Sequence, residues 1–175
     1  MIVDRNGKER GFSLLELLLV IGVGALLLLA GLATYRIVTE GNNVSETIRL
    51  LNAAKIGLQT LYSNQATYGT NGSDITEIAI EGGIFPARNV LSATQTVDPW
   101  RNNITVNAVD PSNFTITLSN VPEAACVKLG TGFTPTTDAD FVSVNINGEG
   151  DLTNPTVAEV QGDCDGDSDI VWNFI

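Results

Sequence analysis

Glu16 is a single carboxylate at the N-terminal edge of a long uncharged stretch, residues 17–35. An ionised group beside a membrane-length apolar helix is costly unless it has a partner, so this position makes Glu16 a candidate functional residue. The chemistry open to it is pairing with a cation. The sequence contains no histidine, which removes the commonest general base, the commonest metal ligand and the usual partner of a nucleophilic serine or cysteine. The absence of histidine therefore favours a structural or binding protein over an enzyme.

The two cysteines, Cys126 and Cys164, both follow the uncharged stretch. If this stretch crosses a membrane, the cysteines lie on the oxidising side, where a disulfide would close a loop and contribute about 2–4 kcal/mol. Two free buried thiols are the alternative. Two cysteines without histidine make a poor zinc site.

Four aspartates near the C-terminus alternate around Gly166: Asp163, Asp165, Asp167 and Asp169. Alternating carboxylates can hold Ca²⁺, but this spacing lacks the glycine position and the terminal glutamate of an EF-hand loop. We therefore interpret the segment as a solvated acidic turn beside the cysteine pair, and keep calcium binding as the weaker alternative.

The uncharged stretch is long enough to cross a membrane as a helix. Nineteen residues at about 1.5 Å each span roughly the 30 Å hydrocarbon core. Arg5, Lys8 and Arg10 precede it, so the positive-inside rule predicts a cytoplasmic N-terminus and an exported remainder. The chain is therefore expected to enter a membrane at least once.

A cleaved secretory signal is the plainest alternative, since Gly31 and Ala33 are small residues before a cut at Thr34. Three acids, including Glu16, disfavour it, because a signal should be plainly basic. Two further classes of exported protein are compatible with this segment. One is a signal-anchored periplasmic enzyme, disfavoured by the missing histidine, and the other is a secreted calcium-binding module whose mature chain would begin near Thr34.

The rest of the chain predicts one long helix and one acidic head. A helix from about Phe12 to about Gln65 is indicated by an apolar stripe at steps of three, four and seven residues, formed by Val44, Ile48, Leu51, Leu58, Leu61 and Tyr62. At 175 residues there is room for one globular domain besides this helix. The formal net charge of −11 disfavours nucleic-acid binding.

From residue 66 onward, short apolar alternations predict strands. Residues 104–109 and 114–119 flank an Asp-Pro-Ser-Asn turn and predict a hairpin, and residues 141–146 and 170–174 predict further strands. Short helices are expected after Ser73 and after Pro122. The fold class is therefore α+β, with a long N-terminal helix packed on an antiparallel sheet.

Gly11-Phe12-Ser13-Leu14-Leu15-Glu16, followed by an apolar helix, resembles the class III leader of type IV pilins and pseudopilins. The resemblance implies that a prepilin peptidase removes residues 1–11 by cutting after Gly11, that Phe12 is N-methylated, and that residues 12–35 form the membrane and filament-core segment of the mature protein. Removal of the leader takes away three basic and two acidic residues, which leaves a net charge of −12. In a filament, Glu16 would neutralise the Phe12 ammonium of a neighbouring subunit, because an unpaired buried charge is costly.

The head extends the resemblance. Val97-Asp98-Pro99-Trp100 looks like the Asp-Pro-Trp turn of pilins and major pseudopilins, while residues 61–70, 121–126 and 164–174 look like segments of type IVb pilins. The cysteine placement resembles the disulfide that bounds the C-terminal variable region of type IV pilins, here residues 126–164. The eleven-residue leader and Phe12 instead resemble type IVa, which leaves the subclass open.

The resemblance implies a structural subunit of a helical homo-oligomeric filament that serves adhesion, aggregation, motility or conjugation. It implies a precursor in the inner membrane of a bacterium, an extracellular pilus, and assembly by an inner-membrane platform, an assembly ATPase complex and a secretin. No cofactor is expected. The rival is a pseudopilin of a type II secretion system, which shares the leader and the Asp-Pro-Trp turn, but the cysteine pair favours a pilin.

Overall fold

The computed structural model describes residues 13–110 and 112–175. The chain divides into two compact units, Met1–Thr39 and Glu40–Ile175, and helix α1 belongs to both. The elements in chain order are α1 Leu14–Tyr62, α2 Thr76–Glu81, β1 Val90–Ser92, β2 Gln95–Val97, β3 Asn103–Asp110, β4 Asn113–Val121, α3 Glu123–Gly130, β5 Phe141–Ile146, β6 Asp151–Leu152, α4 Val157–Asp163 and β7 Ser168–Phe174. The predicted α+β class is confirmed.

Seven strands form one antiparallel sheet in the order β1-β2-β3-β4-β7-β5-β6. The predicted hairpin is its centre: β3 pairs with β4, so that Ile104 lies opposite Leu118. The C-terminal strand β7 then pairs with β4 on one side and with β5 on the other. Strand β7 thus joins the β3–β4 hairpin to β5 and β6 in a single sheet.

Strand β4 shows why the sheet has a buried face. Phe114, Ile116 and Leu118 are fully buried, whereas Thr115 and Thr117 between them are half-buried. Successive side chains of a strand point to opposite faces, so this alternation of apolar and hydroxyl residues directs one set into the core. Trp172 and Phe174 of β7 continue the same buried layer.

The C-terminal part of α1 packs in this core through Val44, Leu51, Ala54 and Leu58, all of which are buried. One member of the predicted stripe was assigned wrongly: Leu61 is 43% exposed. At 3.6 residues per turn, Leu61 lies about 100° around the helix from Val44, so the stripe has rotated away from the core by that turn.

Gly57 marks a close approach of α1 to the segment that follows α2. A Cβ atom at this position would lie 2.8 Å from a methyl carbon of Ile84. Only a residue without a side chain leaves room for this contact, which provides a packing reason for a glycine that otherwise weakens a helix.

Four elements were not predicted: β1, β2, β6 and α4. The three strands are two or three residues long, too short to show a period of alternation. Helix α4 begins with a complete capping box. The Thr156 hydroxyl accepts a hydrogen bond from the Glu159 backbone N–H, and the Glu159 carboxylate accepts one from the Thr156 backbone N–H.

Candidate functional site

Glu16 lies in the first turn of α1, with its side chain exposed in the single subunit. Helix α1 begins at Leu14, and the Leu17 backbone N–H donates to the Ser13 carbonyl oxygen at 3.1 Å. An acid in the first turn of a helix is favoured by the helix dipole. Gly11 and Phe12, the predicted processing residues, lie outside the described residues, so their position relative to Glu16 stays a prediction.

The segment after Glu16 is an apolar surface. Its most apolar 18-residue window has a mean hydropathy of 2.6 and is not buried inside the subunit, and the helix is long and apolar enough to cross a membrane. Ten leucine, isoleucine and valine side chains between Leu17 and Leu29 are each at least 49% exposed. Apolar area of this extent is unfavourable in water, so it must be covered by lipid or by other protein.

Small residues interrupt this surface. Cβ atoms built at Gly22, Gly24 and Gly31 would have no neighbour within 4 Å. No contact inside the described subunit requires these glycines, and small residues at such positions let neighbouring helices approach closely.

The predicted disulfide between Cys126 and Cys164 is present. It joins α3 to the C-terminal end of α4, with both cysteines buried and their Cα atoms 6.0 Å apart. The disulfide therefore closes residues 127–163, which include β5, β6 and α4, into one covalent loop.

The predicted acidic turn, residues 163–169, lies beside Cys164 in the sequence. Asp165 and Asp167 are exposed, while Asp169 accepts a hydrogen bond from the Asn120 backbone N–H at 2.9 Å. Asn147 holds both ends of the turn: its amide nitrogen donates to the Asp163 carbonyl oxygen, and its amide oxygen accepts from the Asp169 N–H. Among the described residues, no group of three or more His, Cys, Asp or Glu is arranged to hold a metal ion.

The Asp-Pro-Trp turn precedes β3. Asp98 is 1% exposed, and one of its carboxylate oxygens accepts from the Asn102 backbone N–H at 2.8 Å. Burial raises the pKa of Asp98, although backbone hydrogen bonds from Asn102, Trp100 and Arg101 act in the opposite direction. The side chain thus fixes the turn that starts the central hairpin.

Sequence reasoning missed a buried charge cluster in the core. Lys55 of α1 is 6% exposed, and its ammonium pairs with Asp138 at 2.5 Å and with Asp140 at 3.5 Å. The same ammonium lies 5.7 Å from the centre of the Phe174 ring. Burial and the nearby Asp140 carboxylate raise the pKa of Tyr68. A lysine four residues after Leu51 and three before Leu58, on the buried face of the stripe, was the available signal.

Comparisons with known proteins agree with this architecture. The family model described as PilS N terminal matches residues 40–174, and the prokaryotic N-terminal methylation motif matches residues 6–32. A comparison with curated protein sequences found no match.

Two solved structures share the fold at low sequence identity. The type IVb pilin of Salmonella typhi is 19% identical, with a TM-score of 0.55 over 75% of this chain and 97% of that one. TcpA, a type IV pilin of the Vibrio cholerae El Tor biotype, is 14% identical, with a TM-score of 0.54 over 75% of this chain and 98% of that one.

An apolar N-terminal helix with a methylation motif, followed by an antiparallel sheet with a C-terminal disulfide, defines the class of type IV pilins. The chain belongs to the PilS N-terminal family, whose model covers most of its length. Membership in this structural family implies processing by a prepilin peptidase, a membrane-anchored precursor and assembly into an extracellular pilus.

Proposed function

We propose that this protein is the subunit of a type IV pilus that polymerises through α1, with residues 1–11 as leader and Phe12 as the N-methylated first residue of the mature chain. The observation that supports the proposal best is the apolar surface of residues 17–35, which finds no partner inside the described subunit. In a filament, the same surface on many subunits forms a common core away from water.

Glu16 would set the register of this core. When the apolar helices bundle, the Glu16 carboxylate and the Phe12 ammonium of an adjacent subunit both lose water. Their pairing offsets this desolvation, whereas a shifted register leaves two buried charges without partners. The proposed role is therefore axial positioning.

The disulfide-closed C-terminal region favours a pilin over a pseudopilin. Residues 127–163 include β5, β6 and α4, so the disulfide secures a large part of the head. A subunit exposed outside the cell benefits from such a cross-link. We assign the precursor to the inner membrane of a bacterium, and assembly to an inner-membrane platform, an assembly ATPase complex and a secretin. Adhesion, aggregation, motility and conjugation are the roles open to the filament.

Two measurements on the native protein test the proposal. N-terminal sequencing with mass spectrometry of sheared surface material should give an N-methylated chain that begins at Phe12. Electron microscopy of the same material should show filaments composed of this chain. A mature chain that begins near Thr34, or one found only in a periplasmic pool, would contradict the proposed function.

A further inference from the structure

Lys55 and Asp138 meet at a distance that is short even for an ion pair. The Lys55 Nζ atom lies 2.5 Å from the Asp138 Oδ2 atom, whereas charge-assisted N–H···O hydrogen bonds are usually about 2.7–2.9 Å long. The two side chains are only 8% and 11% exposed. An amine and a carboxyl group held in such contact are the two reactants of amide formation.

The pair lies against aromatic rings. Lys55 Nζ is 5.7 Å from the centre of the Phe174 ring, and Phe174 packs edge-on against Phe133 and Phe141. All three phenylalanines are buried. Charges in such a setting have lost most of their water, which lowers the cost of moving one proton from the ammonium to the carboxylate. The products of this transfer are a nucleophilic amine and an electrophilic carboxylic acid.

The other oxygen of Asp138 is held by the backbone. Asp138 Oδ1 accepts a hydrogen bond from the Asp140 backbone N–H at 3.1 Å. A fixed N–H donor stabilises the negative charge that develops on this oxygen when the Cγ atom is attacked, which is the role of an oxyanion hole. Oδ2, the oxygen beside the amine, is then the leaving group.

A second carboxylate lies within reach of the same amine. Asp140 Oδ2 is 3.5 Å from Lys55 Nζ, and the Asp140 side chain is 46% exposed. It can accept a proton from the attacking amine and deliver it to the departing oxygen, as a general acid–base catalyst does. Because Asp140 also faces solvent, the water that is released has an exit.

We propose that Lys55 and Asp138 condense to an amide bond in the folded protein. The Lys55 Nζ–Asp138 Cγ bond forms, the Asp138 Cγ–Oδ2 bond breaks, and Oδ2 leaves with two protons of the ammonium as one water molecule. The reaction needs no oxidant and no co-reactant. Because the fold holds both groups in place, their effective concentration is high enough to favour the amide over its hydrolysis.

The ion pair is the state of the freshly folded protein, before the bond forms. Lys55 and Asp138 are 83 residues apart in sequence, so folding must bring them together first. The bond would tie α1 to the segment closed by the Cys126–Cys164 disulfide, because Asp138 lies inside that segment. Tension along α1 would then pass through the amide, and residues 56–137 could not be extended by it.

Mass spectrometry of protein purified from the native cell envelope tests the proposal. The disulfide-bonded chain should be lighter than its sequence by the mass of one water molecule. After reduction and digestion with trypsin, cleavage after Lys55 should be lost, and residues 50–88 should be joined to residues 129–175 in one branched peptide. A chain of full mass that trypsin cuts after Lys55 would overturn the proposal and leave the pilus function untouched.

Three variants separate the reaction from the ion pair. Lys55→Arg keeps the positive charge but stays protonated, so it should show the full mass. Asp140→Asn keeps the backbone N–H and should slow bond formation in pulse-labelled protein by about 100-fold or more, the usual contribution of general acid–base catalysis. Asp151→Asn, at an exposed acid outside the cluster, should react as the wild type does. Loss of water from Lys55→Arg, or a wild-type rate in Asp140→Asn, would overturn the assignment of these residues.

Discussion

Lys55 is a cation that the core cannot accommodate alone. Its side chain is 8% exposed and that of Asp138 is 11% exposed, so the pair is shielded from water. Burying two charges costs free energy that their attraction and hydrogen bonds largely offset, whereas removing one partner leaves the other without compensation. The pair also connects α1 to the loop that precedes β5, which lies inside the disulfide-bounded region.

We expect Lys55→Met to lower the free energy of unfolding by about 3–5 kcal/mol, because Asp138 then stays buried without a cation. Adding Asp138→Asn should restore most of this loss. Arg88→Met, which removes an exposed pair, should cost no more than about 1 kcal/mol. Urea unfolding of the detergent-solubilised protein, followed by fluorescence of Trp100 and Trp172, measures all three. Equal losses for Lys55→Met and Arg88→Met would contradict the assignment.

The raised pKa of Asp98 predicts that the stability of the fold depends on pH. Its pKa in the folded protein is raised by burial above the ordinary value of 3.8, so the folded state binds a proton more tightly than the unfolded state. The stabilising contribution is therefore fully present below pH 3.8 and is lost as the pH rises through the folded pKa.

Asp98→Asn removes this titration while it keeps an oxygen to accept from the Asn102 N–H. The variant should gain stability relative to the wild type as the pH is raised from about 3.5 to 7, by roughly 1.4 kcal/mol for each unit by which the pKa is raised. Unfolding curves at several pH values give the difference directly. A difference that is constant across this range would show that Asp98 titrates normally.

At the scale of elements, the disulfide joins α3 to the C-terminal end of α4. Cys126 and Cys164 are 38 residues apart in sequence, so the cross-link restricts a long stretch of the unfolded chain. We expect Cys126→Ser to lower the free energy of unfolding by about 2–4 kcal/mol and to make Cys164 reactive towards maleimide when the head opens.

The control for this prediction is Cys126→Ser/Cys164→Ser. It should lose a similar amount of stability without gaining maleimide reactivity. The expected result would be contradicted by wild-type stability in both variants, or by free thiols at both positions in protein purified from the native cell envelope.

The sequence predicted those elements that are long enough to show a periodic pattern of apolar residues. Helix α1 and the β3–β4 hairpin are both of this kind, since they span 49 residues and strands of eight and nine residues. Strands β1, β2 and β6 could not be predicted because two or three residues are too few to show an alternation, although each of them pairs with a strand close to it in sequence. The Lys55 pair was missed for a different reason, because Asp138 is 83 residues away in sequence.

At the scale of the whole molecule, Glu16 is expected to pair with the Phe12 ammonium of another subunit. As a membrane monomer, the protein can keep this carboxylate near the interface, so Glu16→Val should insert and be cleaved as the wild type is. In a filament core, the Phe12 ammonium would then be left without a counter-charge, at a cost of several kcal/mol per subunit.

We therefore expect wild-type levels of precursor and mature Glu16→Val protein on immunoblots, few or no filaments by electron microscopy, and partial recruitment when wild-type subunits are co-expressed. Glu81→Val, an exposed acid of the head, serves as the control and should assemble normally. Abundant filaments from Glu16→Val alone would require the pairing mechanism to be dropped.

The two outermost strands of the sheet bear on how closely heads of this family can be packed without aggregating. Long unpaired edge strands are templates for cross-β aggregation, since they offer rows of free N–H and C=O groups. Here the edges are β1 with three residues and β6 with two. Edges this short cannot nucleate an extended ladder between neighbouring heads. Heads packed side by side can thus remain separately folded.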